Sequence, residues 1–261
     1  MTWNVGITGA GGRMAEALVE IVLSNPEVAL AGLLARPGSP RVGRPIADTG
    51  QRVHDNAAAL FQSADVVIDF TAPDASIGFA HLAAETATPL VLGTTGFDAG
   101  QEAALVAAAR HAAILQAANF SLGVTLLTAL VRQAAAALDT DWDIEILEMH
   151  HRQKVDAPSG TALMLGRAAA AARGVEMDRA KVTQRDGVIG PRPPGSIGFA
   201  TLRGGTVPGD HSVIFAGPDE RLVLSHSAGD RAIFARGAVA AARWLADKAP
   251  GRYQLTDMLG L

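Results

Sequence analysis

Apolar and polar positions change rhythm twice along the chain. Trp3–Thr8 is an apolar run of strand length, the cluster Gly9-Ala10-Gly11-Gly12 follows, and Met14, Leu18, Val19 and Val22 then recur at helical spacing. That order predicts a strand, a tight turn and a helix. Asn25-Pro26 stops the helix and Val28–Leu34 reads as a second strand, so the chain opens on a βαβ unit. The alternation continues with strands at 65–70, 89–92 and 113–116, separated by helices at 74–85 and 99–111. Such a pattern predicts an α/β fold with a parallel, Rossmann-like sheet covered on both faces.

After Asn119-Phe120-Ser121 the rhythm is different. A long apolar helix at 122–138 leads to a strand at 144–149, a polar segment at 150–160 and an alanine-rich helix ending near Ala172. Three strand-like runs, 197–202, 212–215 and 221–226, then follow with no helix between them, which predicts a separate mixed or antiparallel sheet. Three prolines within 189–194 mark a loop. Residues 231–248 form an amphipathic helix that can return to the first sheet. The expected organisation is a parallel-sheet domain over 1–121, completed by 231–261, and a second α+β domain over 122–230.

Composition narrows the partner. Among 261 residues, 22 Lys and Arg stand against 26 Asp and Glu, and a net charge of -4 offers no basic field for a nucleic-acid backbone. A small-molecule role is favoured. The absence of cysteine excludes disulfides, thiolate catalysis and Cys-ligated metal centres. The first residues lead into a strand without a signal-peptide pattern, and no apolar run is long enough to span a bilayer. The expectation is a soluble, cytoplasmic protein with no membrane partner.

Three segments carry chemistry. In Gly6 to Met14, glycines at a strand end let the turn close and let the backbone approach a pyrophosphate, whose charge sits on the N–H groups of the next helix. Gly9 and Gly11 fit G-x-G-x-x-G, Met14 holds the third glycine position, and Gly6, Gly9 and Gly12 form the alternative frame. The second segment is Leu92 to Phe97 together with Ala117 to Ser121. Both stretches follow strands and so lie at the sheet's carboxyl edge, where the hydroxyls of Thr94 and Thr95 and the amide of Asn119 could meet a nicotinamide or ribose. Helix capping and turn formation would account for the same residues taken singly.

The third segment, Glu148 to Ala162, is the most specific. Five ionisable side chains lie between His150 and Asp156, directly after a strand and before a helix. Paired histidines, Lys154 and a Gly160-Thr161 helix start suit the binding of anionic groups while a proton is supplied. A metal site on Glu148, His150 and His151 is the weaker reading, because adjacent strand residues point to opposite sides.

The string E-x-H-H-x-x-K-x-D-A-P-S-G-T-A, with GAGGRM, DFT at Asp69 to Thr71, GTTGF, ANFS and GSIGFATLRGG in this order, resembles the 4-hydroxy-tetrahydrodipicolinate reductase family over nearly the whole chain. The resemblance implies NADPH or NADH as cofactor and a small dicarboxylate as substrate. It places Gly9, Ala10, Gly11, Gly12, Arg13 and Met14 at the pyrophosphate, and Gly93, Thr94 and Thr95 with Ala117, Ala118, Asn119 and Phe120 around the nicotinamide. It makes His150 and Lys154 the proton-transferring residues and His151, Gly160 and Thr161 the substrate-binding ones. It further implies a homotetramer assembled through the second domain. Where an acid often ends the second strand, this chain has Ala35-Arg36, and Arg36 is expected to favour the 2'-phosphate of NADPH. Two rivals remain: a reductase or dehydrogenase of another amino-acid precursor, and a non-catalytic dinucleotide-sensing protein.

Overall fold

The apolar runs of the N-terminal half become strands because both of their faces are covered. In the computed structural model, which describes residues 2–261, β1 (Trp3–Thr8) is followed by α1 (Arg13–Ser24), β2 (Val28–Leu34), α2 (Ala57–Ser63) and β3 (Val66–Asp69). Then come α3 (Pro73–Thr86), β4 (Leu90–Leu92), α4 (Ala99–Ala108) and β5 (Ala113–Gln116). Every residue of β3 and β4 is buried, as parallel strands between two helical layers require. Local chemistry sets the helix starts: Pro73 opens α3, and Asp98 and Gln101 close a reciprocal capping box at α4. The strands are all parallel, in the order β5-β4-β3-β1-β2. From β1 the chain turns to β2 on one side and later to β3 on the other, so the crevice beyond the carboxyl ends of β1 and β3 is the sheet's switch point.

A second unit, Ser121–Arg231, has its own core. It comprises α5 (Leu122–Ala137), β6 (Asp143–His150), α6 (Gly160–Ala172), α7 (Met177–Ala180), β7 (Lys181–Val182), β8 (Ile197–Arg203), β9 (Asp210–Ala216) and β10 (Arg221–Ser227). The sheet order is β10-β9-β6-β8-β7, with β6 parallel to β8 and antiparallel to β9, so the sheet is mixed. Strict alternation along β6 buries Ile144, Ile146, Glu148 and His150 on one face. Val131 of α5, Leu165 of α6, and Phe199, Val213 and Phe215 complete that core. The proline-rich loop is tied down by charge: Arg185 pairs bidentately with Glu145 at 2.6 and 2.7 Å, and Arg192 reaches Asp143 and Glu145 at 2.6 and 3.0 Å.

After the second unit the chain rejoins the first, which consists of the chain up to Phe120 and Ala232–Leu261. Helix α8 (Ala232–Leu245) packs on α1 and across β3, β4 and β5. Gly237 permits this approach, because a Cβ there would lie 1.8 Å from the Phe120 carbonyl oxygen. Strand β11 (Gly251–Tyr253) extends the parallel sheet beside β5, and α9 (Leu255–Leu259) ends the chain. Among the described residues, no helix is long and apolar enough to cross a membrane.

Candidate functional site

In the first unit the candidate residues all follow carboxyl ends of parallel strands. Gly9 and Gly11 have φ of 79° and 88°, the left-handed region that glycine enters without steric cost. Gly12 caps α1 without a side chain, so the N–H groups of the first turn, with Arg13 and Met14 leading the helix, have nothing over them from the cap residue. The turn is held from behind: Ala10 N–H donates to Leu34 O at 2.9 Å and Gly12 N–H to Gly9 O at 3.0 Å. Arg41 lies against it, since a Cβ on Gly11 would sit 2.9 Å from Arg41 Nε. Arg36 is exposed just beyond β2. Bare backbone, a helix N-terminus and two cations suit a dinucleotide's phosphates.

The second group of candidates is partly turned inward. Gly93 follows β4 and donates its N–H to Asp69 O at 2.8 Å, while Ala117 donates to Leu92 O at 3.0 Å. Thr95 and Ala118 are exposed and Asn119 is half-buried. Thr94 is buried, and its hydroxyl is engaged with Ser76 at 2.8 Å and Asp69 at 3.3 Å. Its side chain therefore serves the protein interior, where a role toward ligand was expected. Phe120 is likewise buried, its ring tilted against that of Phe70 with centroids 5.1 Å apart, so only its backbone is placed to meet a ligand.

In the second unit, one strand-loop-helix segment gathers His150, His151, Lys154, Gly160 and Thr161. His150 ends β6 on the buried face, two residues from Glu148, and the period of two puts both side chains on the same side. Its Nδ1–H donates to Glu148 Oε2 at 2.6 Å. An ionised carboxylate only accepts, so this bond fixes the tautomer and leaves Nε2 as the exchangeable position. Gly209 makes room there: at φ 156°, a Cβ would approach Nε2 to 2.9 Å.

Glu148 is the hub of this segment. Only 1% exposed, it also accepts two bonds from Arg203 at 2.8 and 2.9 Å, one from Ser159 N–H at 3.0 Å and one from Thr201 at 3.3 Å. Burial alone would raise its pKa, but the hydrogen bonds from Arg203, His150 and Ser159 outweigh it, and the net shift is downward. Arg203 also donates to Asp156 O at 2.7 Å and so ties the loop to the sheet.

Lys154 Nζ donates to both oxygens of Asp156 at 2.7 and 2.9 Å, and that bond holds the Asp156 carboxyl below its usual range. His151 accepts a 2.7 Å bond from Arg231 on Nε2; desolvation, then the Arg231 charge, push its pKa down, leaving a neutral ring with Nδ1–H to donate. Ser159 caps α6 by accepting from Ala162 N–H at 3.1 Å, and its hydroxyl meets His211 Nε2 at 2.9 Å. Gly160 then opens the helix in free space, with nothing within 4 Å of where a Cβ would stand. Burial, then the neighbouring His150, lower His211 to about 4.

The sequence reading missed the partners that lie far along the chain. Arg203, His211 and Arg231 belong to later elements, and only the pairing of β6 with β8 and β9 brings the first two alongside Glu148 and His150. Glu148 was visible as a neighbour of the histidines, but its buried side of the strand was legible only through the alternation of β6.

Comparison with known proteins covers both units. The family model for the N-terminus of dihydrodipicolinate reductase matches residues 3–120, and that for its C-terminus matches 123–259. The chain is 55% identical to the 4-hydroxy-tetrahydrodipicolinate reductase of Rhizobium rhizogenes, over 98% of this chain and 96% of the relative. It is 53% identical to the enzyme of the same name from Cereibacter sphaeroides, over 99% and 98%. Among solved structures, a dipicolinate-bound dihydrodipicolinate reductase from Paenisporosarcina sp. TG-14 superposes with a TM-score of 0.80 at 24% identity, covering 97% of this chain and 98% of that one.

Proposed function

The chain belongs to the dihydrodipicolinate reductase family and reduces 4-hydroxy-tetrahydrodipicolinate to tetrahydrodipicolinate with NADPH or NADH, in lysine and diaminopimelate biosynthesis; on that premise we propose that each of its two units performs one half of the reaction. The carboxyl edge of the parallel sheet holds the dinucleotide, and the segment from His150 to Thr161 holds the dicarboxylate and manages its protons. The observation that carries this division is the convergence of a tautomer-fixed histidine, a lysine and a helix start in one segment of the second unit.

On this reading the turn from Gly9 to Met14 wraps the pyrophosphate, and Arg36, with Arg41 beside the turn, favours the 2'-phosphate of NADPH. The backbone of Gly93 to Thr95 and of Ala117 to Phe120 surrounds the nicotinamide. When bound, the cofactor supplies a hydride.

The protein's residues do the rest. The substrate loses its 4-hydroxyl as water together with a ring proton, which leaves a conjugated cyclic imine. A hydride added to that ring pushes an electron pair toward the neighbouring carbon, and a proton must arrive there. Lys154, held by Asp156, donates it, and His150 exchanges a proton through Nε2 while Glu148 steadies the ring. One carboxylate of the substrate accepts the N–H groups of Gly160 and Thr161 at the start of α6, and His151 donates Nδ1–H to the same dianion.

A homotetramer in the cytoplasm completes the reading. Its support is the outer face of the mixed sheet, where Leu202 and Val223 are half-exposed apolar positions.

The deciding experiment is substrate-dependent NADPH oxidation by wild type and by Lys154→Ala. Turnover should fall about a hundredfold to ten-thousandfold, the usual contribution of a general acid, while the dissociation constant for NADPH stays within about twofold. Near-normal turnover in the variant removes Lys154 from the mechanism.

A further inference from the structure

The tripeptide Asp69-Phe70-Thr71 at the end of β3 has no role in the reaction as derived above, yet it touches both loops assigned to the dinucleotide. Asp69 is fully buried, with 0% exposure, and among the described residues none of its hydrogen-bond partners is a cation. Thr8, the last residue of β1 before the glycine turn, donates its hydroxyl to Oδ1 at 2.5 Å. Thr71 donates both its hydroxyl, at 2.7 Å, and its backbone N–H, at 3.1 Å, to the same oxygen. Ser76 of α3 donates to Oδ2, and Thr94, beyond β4, lies within 3.3 Å of that oxygen and 2.8 Å of the Ser76 hydroxyl. The Asp69 carbonyl accepts from Gly93 N–H. Three neighbouring strands, β1, β3 and β4, thus converge on one acidic side chain at their carboxyl ends.

The flanking residues complete the arrangement sterically. A Cβ on Gly9 would meet the Thr71 methyl at 3.0 Å, and one on Gly93 would fall 2.0 Å from the Phe70 ring. One tripeptide therefore packs against the pyrophosphate turn on one side and the nicotinamide loop on the other. A carboxylate suits this position because it accepts several bonds and donates none, whereas an amide would present N–H groups to donors already pointing inward.

We propose that Asp69 is a positioning residue for the cofactor: by drawing Thr8, Thr71, Ser76 and Thr94 onto one carboxylate it sets the spacing between the loop that grips the pyrophosphate and the loop that surrounds the nicotinamide. The inference rests on the assignment of those loops in the preceding subsection. It makes the grip on the whole dinucleotide, which needs both loops at the right spacing, far more sensitive to Asp69 than the grip on a fragment that ends at the pyrophosphate turn and needs only one of them.

The test compares NADPH with 2',5'-ADP, binding each to the intact chain by calorimetry or fluorescence, in wild type and Asp69→Asn. The expected result is NADPH binding weakened about tenfold to a hundredfold, the scale of a disrupted set of charge-assisted bonds, with 2',5'-ADP binding changed less than about twofold. Should Asp69→Asn fail to fold, Thr8→Val and Ser76→Ala each remove one donor and should show a few-fold form of the same split. Equal weakening of dinucleotide and fragment, or unchanged NADPH affinity, overturns the inference. Gly12→Asp separates this failure from failure of the loop assignment: a charge placed on the turn abolishes NADPH binding if the turn holds the pyrophosphate, whatever Asp69 does.

Discussion

At the scale of single residues, the second unit shows how one buried carboxylate organises several others. Glu148 receives Arg203, His150, Thr201 and the Ser159 N–H, so its replacement by glutamine leaves a neutral, buried group facing a half-buried guanidinium. Removing one partner of a charged pair shielded from solvent costs more than the pair's net worth, because the other charge stays behind, and the partial exposure of Arg203 moderates that cost. His211, packed edge-on against His150 with ring centroids 5.1 Å apart, carries a separate consequence. Its pKa is lowered from 6.5 to about 4 by burial and then by the neighbouring imidazole. A depressed folded-state value means that below pH 6.5 the unfolded chain binds the proton and the folded one does not. The associated stability is fully present above pH 6.5 and is lost as pH falls toward 4, a span that amounts to about 3 kcal/mol at most. Urea midpoints of wild type and His211→Gln, measured at pH 7 and pH 5, should therefore diverge, with the wild type losing more. An identical pH dependence in the two proteins would show that His211 does not titrate in this window.

At the scale of elements, strong local signals were legible and pairwise ones were not. The stretch Trp3–Thr8 was readable as a strand from its apolar run, and the helix after it from the spacing of Leu18 and Val22; the structure places β1 and α1 there. The parallel sheet followed from the βα alternation, and the mixed second sheet from three strands with no helix between them. Helix α2 escaped because seven residues are too few to show a period, although Asn56 caps it by accepting from Ala59 N–H at 3.0 Å. Strands β7 and β11, of two and three residues, exist only through pairing with β8 and β5. The N-terminus of α6 supplies this scale's prediction. Gly160 and Thr161 lead a helix whose cap, Ser159, is itself fastened to Glu148 and His211, so the helix end proposed to take the anion is pre-set on the sheet. With His151 and Lys154 nearby in sequence, two carboxylates on one ring should engage more of these donors than one. Pyridine-2,6-dicarboxylate should inhibit about tenfold or more better than pyridine-2-carboxylate, as one additional charge-assisted bond implies. Equal inhibition constants would refute a two-carboxylate site.

At the scale of the whole molecule, the proposed division of labour asks two separately cored units to act on one bond. On that reading the dinucleotide belongs to one and the dicarboxylate to the other, yet a hydride moves only between atoms in contact, so productive geometry has to be reached after both ligands are bound. The covalent links between the units are two, at Phe120–Ser121 and Arg231–Ala232. Each lies at an element boundary: Ser121 caps α5 by accepting from Val124 N–H at 3.2 Å, and Ala232 begins α8. Paired crossings at element ends are where hinge motion is absorbed, since a few backbone dihedrals change while both cores stay packed. Excluding water from the imine supplies the incentive, because bulk water beside Lys154 would compete for the proton and weaken every charge-assisted contact to the dianion. Closure should thus depend on both ligands together. In solution scattering, the radius of gyration should fall when NADPH and pyridine-2,6-dicarboxylate are both present and change little with either alone. The Lys154→Ala variant should still close, since it retains the helix start and His151 for the dicarboxylate. Curves that coincide across all four conditions would place the units in a fixed arrangement and move the source of water exclusion elsewhere.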